Sequence, residues 1–298
     1  MQNNKQSFRD YLQLEKHYSL LTVNAYGRDV EFFQQFLISE FEQESLEEAN
    51  YSQIRSWIVS LVDGGMANSS VNRKVASLKA FYRFLLKTKQ IDLNPLAKHR
   101  ALKAPKKLQI PFSEHEVSDV FQELEFTDDF CGRRDKLIID LLYTTGMRRA
   151  ELIGLKVKYV DLSNHTLKVL GKRNKERILP LLPVLVRELE MYFSERKKLL
   201  DIVDDEFLFV TLKGVKLYDS FVYRLINDYF SKVSEKVKKS PHILRHTFAT
   251  HLLNNGADLN SVKELLGHSS LASTQIYVHS SLAELKKVYG DAHPRNKK

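Results

Sequence analysis

A basic segment interrupted by prolines, about one third of the way along the chain, constrains the fold more than any other feature of the sequence. The segment contains Pro95, Pro105 and Pro111. The residues between these prolines include lysines and arginines and show no apolar periodicity. This composition is typical of an interdomain linker. We therefore predict an N-terminal domain at residues 1–97, a basic linker at 98–111 and a C-terminal domain at 112–298.

Residues 1–97 are predicted to form a bundle of four helices. Apolar residues recur there at spacings of three and four, the pattern of helices with one buried face. A shorter amphipathic stretch, residues 8–18, precedes three longer helices, and Gly64-Gly65 is expected to end the second of these. The side chains expected to cap the longer helices are those of Thr22, Ser52 and either Ser69 or Ser70.

The C-terminal domain is predicted to combine helices with one hairpin. Helices are expected over residues 114–124 and 134–144, and again from Pro183 to the end. Two strands, 166–170 and 177–181, flank a turn through residues 171–175. The expected fold class is mainly α with a small antiparallel β-sheet.

Positive charge is concentrated in one part of the sequence. The 46 Lys and Arg residues exceed the 37 Asp and Glu residues, and the net charge is +9. Residues 67–107 hold eleven of these cations and a single acid, Asp92, whereas residues 40–48 hold five glutamates and no cation. This segregation indicates a surface that binds a polyanion. The alternative at this point is a basic protein whose charge serves only its solubility.

The sequence also predicts a compartment. No apolar run approaches the ~18 residues that a transmembrane helix needs, and the N-terminus is polar, unlike a signal peptide. The single cysteine, Cys131, cannot form an internal disulfide and suits a reducing environment. We expect a soluble, cytoplasmic protein without a membrane partner.

Four short segments of the C-terminal domain carry candidate chemistry: Thr145-Gly-Met-Arg-Arg-Ala-Glu-Leu152, Gly171-Lys172, His242-Ile-Leu-Arg245, and Gly267-His268 with Tyr277 nine residues later. Taken singly, each has an ordinary structural explanation, such as a solvated arginine or a turn lysine. His242 and His246 have the spacing of a chelating pair. Zinc would require a third ligand, and the sequence offers no His-Glu-x-x-His motif.

Taken together, these residues are suited to cleaving a phosphodiester without a metal. Arg148 and Arg245 supply planar forks for the non-bridging oxygens, and Tyr277 supplies a phenol as nucleophile. Lys172 can act as general acid, and His242 and His268 can transfer protons or donate to the phosphate. No carboxylate cluster for Mg²⁺ and no Walker loop is present in the sequence, so no cofactor is expected.

The order of these residues, with "TGMRRAEL", "LGKRNKERILPL", "HILRHTFATHLL" and "LGHSSLASTQIYVH", resembles the tyrosine recombinase (lambda-integrase-like) superfamily, and within it the bacterial Xer recombinases. The resemblance implies an N-terminal SAM-like core-binding domain and an α+β catalytic domain that together clamp DNA. It assigns the catalytic roles to Arg148, Lys172, His242, Arg245, His268 and Tyr277. The Thr-Gly-x-Arg and Gly-Lys frames select Arg148 over Arg149 and Lys172 over Lys175, and Glu151 is expected to be a supporting carboxylate.

The resemblance also implies what the protein does and with which partners. It predicts site-specific recombination of double-stranded DNA by a homo- or hetero-tetramer with a second recombinase, in chromosome dimer resolution at cell division. A DNA translocase is the further partner that it suggests. Residues 281–298, with Leu282, Leu285 and Val288, are expected to dock on a neighbouring subunit. The residues expected to contact DNA are Arg73, Lys74, Lys79, Arg83, Lys106 and Lys107. The alternatives are an integrase of a phage or mobile element and a non-catalytic, architectural DNA-binding protein.

Overall fold

The computed structural model describes residues 4–105, 109–171, 176–267 and 288–296. The chain forms two compact units, Met1–Lys107 and Leu108–Lys298. The division falls inside the predicted linker. In the described parts of both units, no helix is long and apolar enough to cross a membrane.

The first unit is helical throughout. Its elements are α1 (Asn4–Asp10), which continues as a π-helical turn (Tyr11–Glu15), α2 (Leu20–Phe41), α3 (Tyr51–Asp63) and α4 (Asn68–Lys87). Phe33, Trp57 and Tyr82, from three different helices, are almost completely buried in its core. The predicted four helical segments are therefore confirmed, and α3 ends at Gly64 as predicted.

The predicted caps of these helices are wrong. Ser19 caps α2 by accepting a hydrogen bond from the backbone N–H of Thr22. Asn50 caps α3 in a reciprocal capping box with Gln53, and α4 begins after Ala67 without a side-chain cap. The α2 and α3 helices thus start two or three residues earlier than expected, because each has a polar residue upstream that can reach the first free N–H groups.

The beginning of the predicted linker belongs to the first unit. The Asn72 side chain donates to the carbonyl of Leu102 at 2.8 Å and accepts from its N–H at 2.9 Å. Asn68 donates to the carbonyl of Lys103 at 2.8 Å. Leu102 and Lys103, inside the predicted linker, are therefore bound to α4.

The second unit surrounds a largely buried helix. It contains α5 (Glu114–Gln122), α6 (Phe130–Thr145), α7 (Arg149–Ile153), α8 (Pro183–Arg196), α9 (Asp219–Ser231), α10 (Pro241–Asn254) and α11 (Leu259–Leu266). The α6 helix is the centre of the core, since nearly every residue from Leu137 to Thr145 is buried. It packs against α8 and α10.

An antiparallel sheet of three strands, β1 (Val160–Asp161), β2 (Thr166–Leu170) and β3 (Glu176–Pro180), lies between α7 and α8 in sequence. In its register, Leu167 faces Leu179 and Val169 faces Arg177. The predicted mainly α fold with a small antiparallel sheet is confirmed. The two-residue strand β1 was missed because it is too short to show alternation.

Residues 197–218 are not helical, contrary to the prediction of helices from Pro183 to the end. This segment turns through isolated bridges, one of which pairs Val210 with Lys216. Arg196 holds it to the end of α8 by donating to the carbonyls of Asp205 and Phe207. Gly214 takes a φ of 68°, where a Cβ would come within 2.3 Å of the Asp201 carbonyl oxygen.

The described C-terminal residues, 288–296, pack against their own unit. The buried Tyr289 hydroxyl donates to the carbonyl of Thr144 at 2.8 Å, and Arg295 pairs with the fully buried Asp140 at 2.7 Å. Residues 288–296 make these contacts with their own unit, and the docking of residues 281–298 on a neighbouring subunit stays a prediction. Leu282 and Leu285 lie outside the described residues.

The second unit effectively begins at Phe112, which α10 holds by both backbone groups. Its N–H donates to the Thr247 hydroxyl at 3.0 Å, and its carbonyl accepts from His251 Nε2 at 2.9 Å. Since a carbonyl only accepts, Nε2 carries the proton, and His251 Nδ1 accepts from the Tyr143 hydroxyl at 2.9 Å. The Phe112 ring also stacks on Phe230, with centroids 4.2 Å apart.

Candidate active site

The loop between α6 and α7 places the first predicted catalytic arginine. Gly146 ends α6 with a φ of 59°, and a Cβ there would come within 2.3 Å of the Phe248 ring. Glycine is therefore required both by the backbone conformation and by the space. Two residues later, Arg148 takes the N-cap position of α7. The Thr-Gly-Met-Arg sequence thus ends one helix and begins the next at the same place.

Glu151 binds Arg148 through two hydrogen bonds. Its side chain accepts from the Arg148 backbone N–H at 2.7 Å and from the Arg148 guanidinium at 2.8 Å. The Glu151 side chain is only 5% exposed. Burial alone would raise the pKa of this carboxyl, but hydrogen bonds from Arg177 and Arg148 outweigh it and hold the pKa below its ordinary value. The supporting role expected for Glu151 agrees with this arrangement.

Arg177 is a third arginine of the site, and the sequence analysis gave it no role. It lies on β3 and makes two parallel hydrogen bonds to Glu151, at 2.9 and 2.8 Å. Its Nε donates to the carbonyl of Leu265, at the end of α11, at 3.1 Å. The signal that could have revealed it is alternation, because Arg177 shares the inward face of β3 with the buried Leu179, while Ile178 between them is exposed.

Arg245 joins the ends of two helices. From α10, it donates to the carbonyl of Gly146 at 2.5 Å and to that of Leu266 at 2.7 Å. Burial, and then the positive charge of Arg148, lower the pKa of Arg245 to about 10, so it remains charged at neutral pH. Arg245 therefore reaches the loop that carries Arg148, and these two predicted residues lie in one cluster with Glu151 and Arg177.

His242 lies one turn before Arg245 on the same helix, and its side chain is exposed. His246, its partner in the chelating pair considered from the sequence, is exposed as well. No group of three residues with metal-ligating side chains occurs in the part of the chain that the structure describes. The site that the described residues build is therefore a cluster of arginines around one carboxylate.

Three predicted catalytic residues, Lys172, His268 and Tyr277, lie outside the described residues. The residues that lead to two of them are described. Gly171 follows β2 directly before Lys172. Gly267 ends α11 with a φ of 64° directly before His268, and a Cβ on it would lie 3.1 Å from Arg177 Nη1. The roles of all six predicted residues stay predictions.

Two other tyrosines are poorly suited to attack a phosphate. Tyr289 is fully buried, and burial raises the pKa of its phenol well above the ordinary value. Tyr229 is stacked on Phe126, with centroids 4.8 Å apart, and burial raises its pKa to about 12. A raised pKa makes the reactive phenolate harder to form.

The predicted DNA contacts on α4 fall into two groups. Lys74 is 12% exposed and Arg73 53% exposed, and both pair with the buried Asp29, at 3.0 and 2.8 Å. Lys74 is therefore a structural partner of Asp29 in this chain, and its contact with DNA stays a prediction. Lys79 and Arg83 form no ion pair with any residue that the structure describes. Lys106 and Lys107 lie outside the described residues.

Comparison with known families agrees with this fold and site. Residues 6–89 match the model of the phage integrase N-terminal SAM-like domain, and residues 111–284 match that of the phage integrase family. A SAM-like helical domain followed by such an α+β domain defines a class of enzymes that cut and rejoin DNA. The chain belongs to the phage integrase family and is a tyrosine recombinase.

Individual relatives cover almost the whole chain. Tyrosine recombinase XerC of Chlorobaculum parvum is 38% identical over 312 residues, which cover 96% of this chain and 93% of the relative. Tyrosine recombinase XerC of Staphylococcus epidermidis is 38% identical over 294 residues, which cover 99% of this chain and 98% of the relative. The expected likeness to Xer recombinases is confirmed.

Two solved structures share the fold. The XerH site-specific recombinase bound to palindromic difH substrate has a TM-score of 0.72 at 23% identity, covering 95% of this chain and 83% of that one. The Tn1549 transposon integrase in complex with transposon right end DNA has a TM-score of 0.72 at 20% identity, covering 95% and 97%. At these identities the likeness shows the fold alone.

Proposed function

We propose that this tyrosine recombinase resolves chromosome dimers at cell division by recombining two short, roughly palindromic DNA sites. The observation that carries the proposal is the likeness along nearly the full chain to recombinases named XerC, at 38% identity. The arginine cluster supports the chemistry. The protein acts in the cytoplasm as a homo- or hetero-tetramer with a second recombinase, and a DNA translocase is the proposed additional partner.

In the proposed reaction, the Tyr277 phenol oxygen attacks the scissile phosphorus. A bond forms between that oxygen and phosphorus, and the bond from phosphorus to the 5′ oxygen breaks. Lys172 gives a proton to the departing 5′ oxygen, and the phenol proton passes to a histidine, His242 or His268. The products are a 3′-phosphotyrosine and a free 5′-hydroxyl. The 5′-hydroxyl of the partner duplex then reverses the step, which exchanges the strands.

Arg148 and Arg245 stabilise the charge that builds on the non-bridging oxygens. A guanidinium has five N–H groups. Arg148 donates one of them to Glu151, and Arg245 donates two, to the carbonyls of Gly146 and Leu266. Each arginine therefore keeps enough donors for a bidentate contact with a phosphate. Because their other bonds fix them, little reorganisation is needed as the charge develops.

Lys79 and Arg83 on α4 are the proposed phosphate contacts of the first unit, together with Lys106 and Lys107. Lys79 and Arg83 are four residues apart and so lie on one face of the helix. Ala76, one turn before Lys79, is exposed, whereas Ala80 packs partly against the core of its own unit. Arg73 adds to this surface with its exposed part, whereas Asp29 partly neutralises its charge.

An integrase of a mobile element is the second candidate, because the phage integrase family, whose model matches residues 111–284, includes such enzymes. Relatives named XerC match at 38% identity and the Tn1549 integrase at 20%, which favours the first candidate. Mapping the sites that the protein occupies on its own chromosome separates them. One site near the replication terminus supports dimer resolution, and a site at the end of a mobile element contradicts it.

Covalent trapping tests the proposed nucleophile. On a nicked suicide substrate, the parental protein should form an adduct that resists SDS, and Tyr277→Phe should bind the site without forming it. Tyr229→Phe is the matched control and should form the adduct at the parental yield. An adduct that persists in Tyr277→Phe would reassign the nucleophile.

A further inference from the structure

We propose that Arg177 is a positioning residue that holds Glu151 in such a way that Arg148 keeps its N–H groups for the scissile phosphate. The inference rests on the proposed role of Arg148 in binding that phosphate. Arg177 lies outside the four segments that suggested the chemistry. It nevertheless binds both the carboxylate of Glu151 and the end of α11.

The hydrogen bonds of Glu151 show how Arg177 acts. Oε1 accepts from the guanidinium groups of Arg148 at 2.8 Å and Arg177 at 2.9 Å. Oε2 accepts from the Arg148 backbone N–H at 2.7 Å and from Arg177 at 2.8 Å. A carboxylate offers about four acceptor positions, so Glu151 is saturated. Because Arg177 occupies one position on each oxygen, the Arg148 guanidinium is limited to a single bond.

Without Arg177, Glu151 would take Arg148 away from the substrate. An arginine and a carboxylate prefer a bidentate pair, and an Arg148 guanidinium bound to both oxygens would turn its fork from the phosphate. The Glu151 carboxylate is 5% exposed, so water could not replace Arg177 as a partner. Arg177 thus competes with Arg148 for the carboxylate and leaves Arg148 available.

Arg177 also changes the charge of the site. Arg148 and Glu151 alone form a neutral pair, whereas two arginines around one carboxylate leave one net positive charge. With Arg245, the cluster has three cations and one anion. The phosphate therefore meets a surplus of positive charge, which favours the more negative transition state.

A second contact connects Arg177 to the end of α11. Its Nε donates to the carbonyl of Leu265, and Arg245 donates to the next carbonyl, that of Leu266. Cations at a helix C-terminus satisfy unpaired carbonyls and interact favourably with the helix dipole. The two arginines thereby fix the point from which the chain continues to His268.

The test measures single-turnover cleavage of a suicide site at saturating protein. Arg177→Met should slow cleavage on the order of 10²-fold, the cost of misplacing a catalytic group, with site affinity within about threefold of the parent. Arg177→Lys, which keeps a charge, should be intermediate. Lys168→Met is the matched control, because it breaks an ion pair across the same two strands, with Glu176 at 2.7 Å, without touching Glu151. It should cleave at the parental rate.

A double-mutant cycle separates positioning from mere stabilisation. A Glu151→Gln background lacks the competing carboxylate. Adding Arg177→Met in this background should therefore slow cleavage by less than about fivefold, since the effects of groups in contact are not additive. The double variant also buries no unpaired charge, which makes it the variant to compare if Arg177→Met folds poorly. An equal loss in both backgrounds would overturn the inference.

Arg148→Lys, measured in parallel, distinguishes this inference from the function on which it rests. A slow Arg148→Lys with a parental Arg177→Met would overturn the positioning role and leave the proposed phosphate contact intact. A parental rate in Arg148→Lys would overturn both. Slow cleavage in both variants, with the predicted non-additivity, would support both.

Discussion

Replacing Arg245 with lysine should slow cleavage because lysine has fewer hydrogen-bond donors, and not because a positive charge is lost. In the parent, two N–H groups of Arg245 go to the carbonyls of Gly146 and Leu266, and three of the five remain. A lysine has three N–H groups on one nitrogen. If two of them satisfy the same carbonyls, a single N–H is left for the phosphate and no bidentate contact is possible.

The expected loss follows from that count. Removing one donor that stabilises developing charge costs roughly 10²- to 10³-fold in rate, or about 3–4 kcal/mol. Site affinity should change much less, because many phosphate contacts elsewhere hold the duplex. The effect should therefore fall on the cleavage step and not on binding.

The variant should also acquire a pH dependence from residue 245 itself, in addition to that of the parent. Burial and the charge of Arg148 lower the pKa of Arg245 to about 10, from an ordinary value of 12.5. The ordinary pKa of a lysine is lower, at about 10.4. The same burial and repulsion lower the pKa of a lysine at this position towards neutrality. The protonated form is the active one, so the rate of Arg245→Lys relative to the parent should fall as pH rises from about 7 to 9.

Single-turnover cleavage of a suicide site, measured across this pH range at saturating protein, tests the reasoning. Arg187→Lys, the same replacement at an exposed position of α8, is the control and should match the parent. A parental rate in Arg245→Lys, or equal losses of binding and cleavage, would show that Arg245 only positions DNA. A ratio of the Arg245→Lys rate to the parental rate that stays constant between about pH 7 and 9 would refute the expected loss of positive charge at residue 245.

Three further predictions concern stability, DNA affinity and cofactors. Arg295→Met leaves the buried Asp140 unpaired and should destabilise the second unit by about 3–5 kcal/mol. Burial already raises the pKa of Asp140, so protonation favours the folded variant, and thermal melts should show a smaller loss at pH 5 than at pH 8. Lys74→Met should lower the melting temperature of the first unit because Asp29 loses a partner. Arg83→Met should instead reduce the slope of log affinity for DNA against log salt concentration by about 0.9. Cleavage should continue in excess EDTA and without ATP, since the arginines supply the positive charge.

Different results would contradict these three predictions. An Arg295→Met variant as stable as the parent would mean that the ion pair contributes no net stability. The double variant Asp140→Asn with Arg295→Met is the control for lost packing, because it buries no unpaired charge. A lower salt slope in Lys74→Met with an unchanged melting temperature would identify Lys74 as a DNA contact. Cleavage lost to EDTA and recovered with Mg²⁺ would disprove the proposed mechanism.

Local sequence patterns predicted the parts of the site that depend on neighbouring residues. The Thr-Gly-Met-Arg sequence fixed the place of Arg148, because Gly146 can end a helix in the left-handed conformation and the next helix begins at once. The predicted start of α10 is confirmed as well, because Pro241 is suited to a first helical turn. Both features rest on backbone rules that act over a few residues.

Contacts between distant residues were not predictable in the same way. Arg177 meets Glu151 across 26 residues and Leu265 across 88, and both contacts depend on how β3 packs. Lys74 seemed to be one of several surface cations, because the sequence cannot show that Asp29, 45 residues earlier, is buried beside it. Charge type is visible in a sequence, but its partner is known only after the chain has folded.

The attachment of Phe112 to α10 determines where the chain can be cut. A fragment that begins at residue 109 retains both backbone bonds, to Thr247 and His251, and the stack on Phe230. A fragment that begins at Glu114, the first residue of α5, loses all three and leaves the buried His251 Nε2 without an acceptor. The two starting points differ by only five residues, yet only the longer fragment keeps the backbone bonds that join Phe112 to the helix that carries Arg245.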